Sequence, residues 1–242
     1  MKILFIGNSF SQDATRYIQD ISRGELFVRN LYIGGCSLAM HAENIKENRA
    51  SYDFETDAVA TRKISIKEAL SLERWDVISI QQVSGDSGRI DTYEPYMGYV
   101  VNYLRENAPD ARLVFHRTWS YEAGSTHPHF PLYGSDRDKM FAAIVEASTA
   151  MADKYGLAII PSGDAVQAAR KIPDFDVTRE GVSLHRDGFH LSLDYGRYLA
   201  GLVLYRFFTG KRAETVKYIP ENSVPSVCEI LRKTADKVFG DN

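Results

Sequence analysis

Apolar runs of strand length alternate along this chain with stretches whose apolar residues recur every three to four positions, and that alternation leaves few architectures open. The runs at 2–7, 26–33, 76–81, 112–116 and 158–161 are short and rich in Ile, Val, Leu and Phe. Nearly continuous apolar character over so few residues marks strands buried on both faces. The helical stretches between them supply the crossovers that parallel pairing requires. Ala14, Tyr17, Ile18 and Ile21 form one helical face, and further helices are predicted at 64–72, 96–107, 136–155, 194–209 and 224–238. In the longest, Met140, Ile144, Ala147 and Met151 make a core stripe. The last is expected to pack on the sheet edge or on a neighbouring subunit. Segments 48–63 and 118–135 carry no period and are predicted to be long irregular loops, which in compact domains are commonly binding elements.

The chain has 242 residues, 44% of them hydrophobic and 25% charged, which is ample material for one core. No repeat, low-complexity tract or proline-rich linker divides it, so a single domain spanning 1–242 is expected. A formal net charge of −3 gives no electrostatic reason to expect nucleic acid or an anionic membrane as partner. Cys36 and Cys228 lie far apart without CxxC spacing, which points to buried reduced thiols and not to a disulfide framework or a thiolate zinc site. No segment has the roughly 20 consecutive apolar residues needed to cross a bilayer. The opening apolar run is too short for a signal peptide, so a cytoplasmic protein is expected.

Two constellations carry chemistry. The first strand ends in Gly7-Asn8-Ser9-Phe10-Ser11, which puts a serine hydroxyl where a helix begins and backbone N–H groups are unpaired. In an open parallel sheet this end of the strands is also where ligands bind. Taken alone, the same tripeptide reads as a helix cap, a role serine favours. Gly34-Gly35 after the second strand could present a second backbone donor or simply form a tight turn. Asp187 and His190 are spaced as Asp-x-x-His ahead of a helix. That spacing lets the carboxylate hold one imidazole nitrogen and leave the other for a hydroxyl. His127, His129 and His185 invite a metal reading, but no set of three or four suitably spaced ligands accompanies them, and neither a metal nor any other cofactor is expected.

Together, Gly7-Asn8-Ser9, Gly34-Gly35 and Asp187-Gly188-Phe189-His190 resemble, in order and spacing over nearly the whole chain, the SGNH (GDSL-type) hydrolase superfamily. Gly-Asn-Ser-Phe-Ser, the strand Trp75-Asp76-Val77-Ile78-Ser79-Ile80-Gln81-Gln82 and the stretch Gly196-Arg197-Tyr198-Leu199-Ala200-Gly201 are closer to an uncharacterised bacterial branch of it. The resemblance implies a flavodoxin-like three-layer α/β/α sandwich with a five-stranded parallel sheet. It also implies Ser9 as nucleophile, His190 as base and Asp187 as its orienting acid, with the N–H groups of Ser9 and Gly35 in the oxyanion hole. The family's third block carries an asparagine as a further oxyanion donor, whereas this chain reads Gln81-Gln82-Val83-Ser84. Gln81 or Gln82 could supply the missing amide, or both could be ordinary strand-end residues. Trp119 and Tyr121, with polar neighbours, either bind substrate, which suits a small acyl ester such as an acetylated carbohydrate, or pack into the core. Two other classes are compatible with the chain: an inactive protein of this fold that binds acylated glycans, and a nucleotide-binding flavodoxin-like protein. The first turn has one glycine and no phosphate-loop lysine, which counts against the second.

Overall fold

The computed structural model describes residues 1–240. The chain runs β1 (Lys2–Gly7), α1 (Ser9–Thr15), α2 (Ile18–Ser22), β2 (Phe27–Tyr32), α3 (Leu38–Lys46), β3 (Tyr52–Thr56), β4 (Val59–Ile64), α4 (Ile66–Leu72) and β5 (Val77–Ile80). It continues with α5 (Tyr96–Asn107), β6 (Arg112–His116), α6 (Arg137–Tyr155), β7 (Ala158–Ile160), α7 (Ser162–Ala169), α8 (Tyr195–Thr209) and α9 (Pro225–Lys237). All the strands join one sheet in the order β4-β3-β2-β1-β5-β6-β7. Its five central and right-hand members, β2-β1-β5-β6-β7, pair in parallel, with Ile6 level with Leu31 on one side and Ile80 on the other.

Alternation along β1 explains the three layers. Ile3 and Phe5 point into one buried cluster, shared with α1, α2, α7, α8 and α9, while Leu4 and Ile6 point into the other, shared with α3, α4 and α5. The fold is therefore the α/β sandwich expected, with helices on both faces of a mostly parallel sheet. Within α8, Leu199, Leu202 and Leu204 are fully buried, each a contribution of about 1.5–3 kcal/mol. α9 packs on α8 of its own chain through Cys228, Leu231 and Ala235.

The sheet has seven strands and not five. Segment 48–63, expected to be a loop, is mostly the β3–β4 hairpin, added antiparallel to the outer side of β2. Its turn residues Asp57 and Ala58 both have positive φ, 52° and 64°, the geometry of a type I′ hairpin turn. β4 is exposed along most of its length and carries Arg62 and Lys63, charges that discourage pairing with another edge. Segment 118–135 is largely irregular, with one short helical turn at Phe130–Tyr133. Its path runs inward: Trp119, Tyr121, Phe130 and Tyr133 are all buried.

Candidate active site

β1 and β2 lie side by side and β5 flanks β1, so the loops after these three strands meet at one end of the sheet, where the connections diverge. Asn8 adopts an extended conformation and caps α1: its Oδ1 accepts from the Phe10 N–H at 3.0 Å, and its Nδ2 donates to the Cys36 carbonyl at 3.0 Å. Because Asn8 is the cap, Ser9 does not serve as one. Ser11 turns inward, its one hydroxyl hydrogen shared between the Asn8 carbonyl and Asn30 Oδ1, each 2.8 Å away. Ser9 stands first in the helix with its hydroxyl free for another partner.

That partner is His190. Ser9 Oγ lies 2.8 Å from His190 Nε2, and His190 Nδ1 lies 2.7 Å from Asp187 Oδ2. Nδ1–H donating to the carboxylate leaves Nε2 bare to accept from the serine O–H. Asp187 Oδ1 also accepts the backbone N–H groups of Phe189 at 3.2 Å and His190 at 2.8 Å. The chain achieves this tight loop because Gly188 takes φ +86°, a conformation side chains resist; there a Cβ would also press on Ser125 at 3.1 Å.

The loop is fastened to α1 by Asp13, fully buried, which accepts from the Leu191 N–H at 2.9 Å, Arg197 Nε at 2.8 Å and Arg186 at 3.0 Å. One carboxylate thus joins the helix that begins with Ser9 to the loop that ends with His190.

Ser9 and His190 open onto a cleft of about 240 Å³ walled by Tyr32, Gly35, Val83, Ser84, His127 and Phe189, among others. Gly35 has φ +64° and no neighbour within 4 Å of where a side chain would begin, so its backbone is open to the cleft. Among the described residues, neither the Ser9 nor the Gly35 N–H donates to a protein acceptor. An alcohol, an imidazole and a carboxylate aligned in this way, beside two unpaired N–H groups, can transfer a proton from the alcohol and stabilise an oxyanion.

Four of the sequence-predicted residues are placed away from the cleft. Gln81 is buried behind Asn8, its Nε2 donating to Asn8 Oδ1 at 2.8 Å and its Oε1 lying 3.1 Å from His116 Nδ1. Gln82 accepts from the N–H groups of Leu38 and Val83 and donates to Thr92. Both amides are thereby occupied in tying β5 to its neighbours, and neither side chain reaches an oxyanion. Trp119 and Tyr121 are fully buried: the indole stacks on Phe10 with centroids 4.4 Å apart, and its N–H donates to the Phe189 carbonyl. They support the wall and do not form it.

The residues that do form the wall and carried no prior role are Tyr32, Val83, Ser84 and Phe189. Ser84 lies in the loop after β5, beyond Gln81-Gln82-Val83, and a hydroxyl in the third block was the signal available for it. His127 lines the cleft, whereas His185 is buried against Glu122 and Arg170 and does not line it. Burial first, and then the positive charge of Arg170, push the His185 pKa down to about 4. Among the described residues, no three His, Cys, Asp or Glu side chains gather as a metal site. No helix of the described chain is long and apolar enough to cross a membrane.

A comparison with curated proteins finds no match. Solved structures do match. A DUF4886 family protein from Bacteroides uniformis is 36% identical with TM-score 0.91, covering 99% of this chain and 94% of that one. A protein from Slackia heliotrinireducens assigned as an SGNH hydrolase is 25% identical with TM-score 0.57, covering 86% and 98%. An acetyl xylan esterase shares the fold at 14% identity and TM-score 0.57, covering 87% and 99%. The family model described as "Domain of unknown function (DUF4886)" matches residues 2–238. With the serine, histidine and aspartate assembled from opposite ends of the sequence on this fold, the chain belongs to the DUF4886 family, a branch of the SGNH (GDSL-type) hydrolase superfamily.

Proposed function

We propose that the protein is a serine ester hydrolase acting on small acyl esters, with acetyl esters of carbohydrates as the preferred class. The observation that carries this reading is the continuous hydrogen-bonded line from Ser9 Oγ through His190 to Asp187, ending at an open cleft. In the first step Ser9 Oγ bonds to the ester carbonyl carbon while His190 Nε2 takes its proton. The N–H groups of Ser9 and Gly35 receive the oxyanion, and His190 returns the proton to the departing alcohol. Water then attacks the acyl-enzyme by the same route, with Asp187 stabilising the imidazolium at each stage.

Cleft size supports a short acyl group: about 240 Å³ lies below the usual range for sites that enclose larger ligands. Tyr32 and Phe189 offer ring surface to a sugar at the cleft wall. The occurrence of acetyl xylan ester hydrolysis on the same fold makes an acetylated carbohydrate the first substrate to try.

The test is a fluorophosphonate probe with mass-spectrometric mapping, alongside chromogenic acetyl, butyryl and octanoyl esters. Label is expected on Ser9, with acetyl turnover fastest. Ser9→Ala is expected to lose label and to reduce turnover by roughly 10⁴–10⁶-fold. A folded wild-type protein that takes no label and cleaves no ester would overturn this reading and favour an acyl-glycan-binding protein.

A further inference from the structure

From the direction in which hydrogens must run along a buried chain of side chains, we infer that Ser84 is a catalytic residue: its hydroxyl donates to the substrate's carbonyl oxygen as that oxygen becomes negative. The inference rests on the ester-hydrolase reading and adds to it a donor that neither glutamine after β5 supplies.

The chain starts in the loop after β6. The backbone N–H of His129 donates to His127 Nδ1 at 3.2 Å, so that nitrogen carries no hydrogen and the imidazole is neutral with its hydrogen on Nε2. His127 Nε2 lies 3.3 Å from the Tyr121 hydroxyl, which lies 3.0 Å from Ser84 Oγ. Nε2–H must donate to Tyr121, and Tyr121, holding one hydrogen, then donates to Ser84. Ser84 Oγ has no other side-chain or backbone partner among the described residues, so its own hydrogen is left over. Ser84 lines the same cleft as Ser9, Gly35 and His190, and that is where the leftover O–H can be used.

Two further facts keep the polarity fixed. Burial, followed by the neighbouring His129 and His190, holds the His127 pKa below its ordinary value, which favours the neutral ring the chain needs. Burial raises the Tyr121 pKa, so the phenol keeps its hydrogen. A serine hydroxyl can accept and still donate its one hydrogen. Here acceptance is already satisfied from behind, and a donor aimed in advance at developing charge is the kind that accelerates acyl transfer. Tyr121 and His127 act through Ser84 and are positioning residues.

The experiment measures kcat and KM on a chromogenic acetyl ester, and the rate of fluorophosphonate labelling at Ser9, for wild type, Ser84→Ala, Ser84→Cys, Ser84→Thr and Tyr121→Phe. Removing one such donor is expected to lower kcat by about 100-fold. Ser84→Ala and Ser84→Cys should show that loss with KM within about twofold, and slower labelling of Ser9 to match. Ser84→Thr, which keeps the hydroxyl, should recover most of the rate. Tyr121→Phe, which keeps the ring and removes the orienting bond, should cost about tenfold in kcat, the value of one hydrogen bond. If Ser9 is labelled and esters are cleaved, but folded Ser84→Ala or Ser84→Cys keeps wild-type kcat, the role of Ser84 is overturned and the hydrolase reading stands. If wild type takes no label and cleaves nothing, both fall together.

Discussion

Asp187 is more exposed than the imidazole it holds, with 39% of its side chain open to solvent against 21% for His190. What burial there is opposes its ionisation. The hydrogen bond from His190 and the two backbone N–H groups outweigh that, so its pKa sits below the ordinary carboxylate value and it is charged at neutral pH. Asp187→Ala would leave His190 Nδ1–H facing water and the ring free to turn. Removing the orienting acid costs up to about 10⁴ in kcat in enzymes of this type. Since water can take part of its place here, a loss of about 10²–10⁴-fold with little change in KM is expected from steady-state kinetics. Unaltered kcat would show that the carboxylate does not orient the ring. Ser9, Asp187 and His190 were legible in the sequence because two compact motifs hold them, one at a strand end and one in an Asp-x-x-His loop. The glutamines and the two aromatics were not. Which way an amide points, and whether a loop ring faces in or out, depends on neighbours far along the chain: Asn8 and His116 for Gln81, Phe10 and Phe189 for Trp119.

Among the elements, α1 is the one on which the site converges. At its start Asn8 caps it; along its length Asp13 receives Arg186 and the Leu191 N–H from the loop beyond residue 185 and Arg197 from α8. Ser11 and Gln12 reach Asn30 and Glu55 of the sheet. Removing one partner of a buried charge cluster typically costs about 3–5 kcal/mol. Asp13→Ala is expected to lower stability by that amount in urea denaturation, and to release the His190 loop so that esterase activity falls well before the protein unfolds. A variant with wild-type stability and turnover would show that the clasp is idle. The five parallel strands were readable because burial on both faces makes their runs continuously apolar. The hairpin was not, for two physical reasons. β4 is polar and exposed, so it lacks an apolar period, and its Asp57-Ala58 turn uses an alanine where glycine would ordinarily announce a type I′ bend. The cost of missing it was Glu55, which sits in β3 and closes the network behind Ser11 through Asn30.

At the scale of the molecule, the buried histidines set a response to acid. Burial pushes His41 down to about 4 and His116 to about 3, and His185 joins them at about 4. Unfolded, each would titrate near 6.5. Between pH 6.5 and 4 the unfolded chain binds protons that the native state refuses, so stability is complete above that window and declines as pH falls through it. Glu55, with its pKa raised chiefly by burial, works the opposite way as a single site against three. The urea midpoint is expected to drop clearly between pH 7.5 and pH 5 at constant ionic strength. Equal midpoints would mean that these rings are protonated in the native state. The separation of 181 residues between Ser9 and His190 has a consequence for biosynthesis. Throughout most of its emergence from the ribosome the polypeptide carries a serine with no imidazole to activate it, and the arginine that completes the Asp13 clasp arrives later still. On the proposed reading, a translation product that stops short of His190 lacks the base, and the site is complete only after the final quarter of the chain has folded back onto the opening strand.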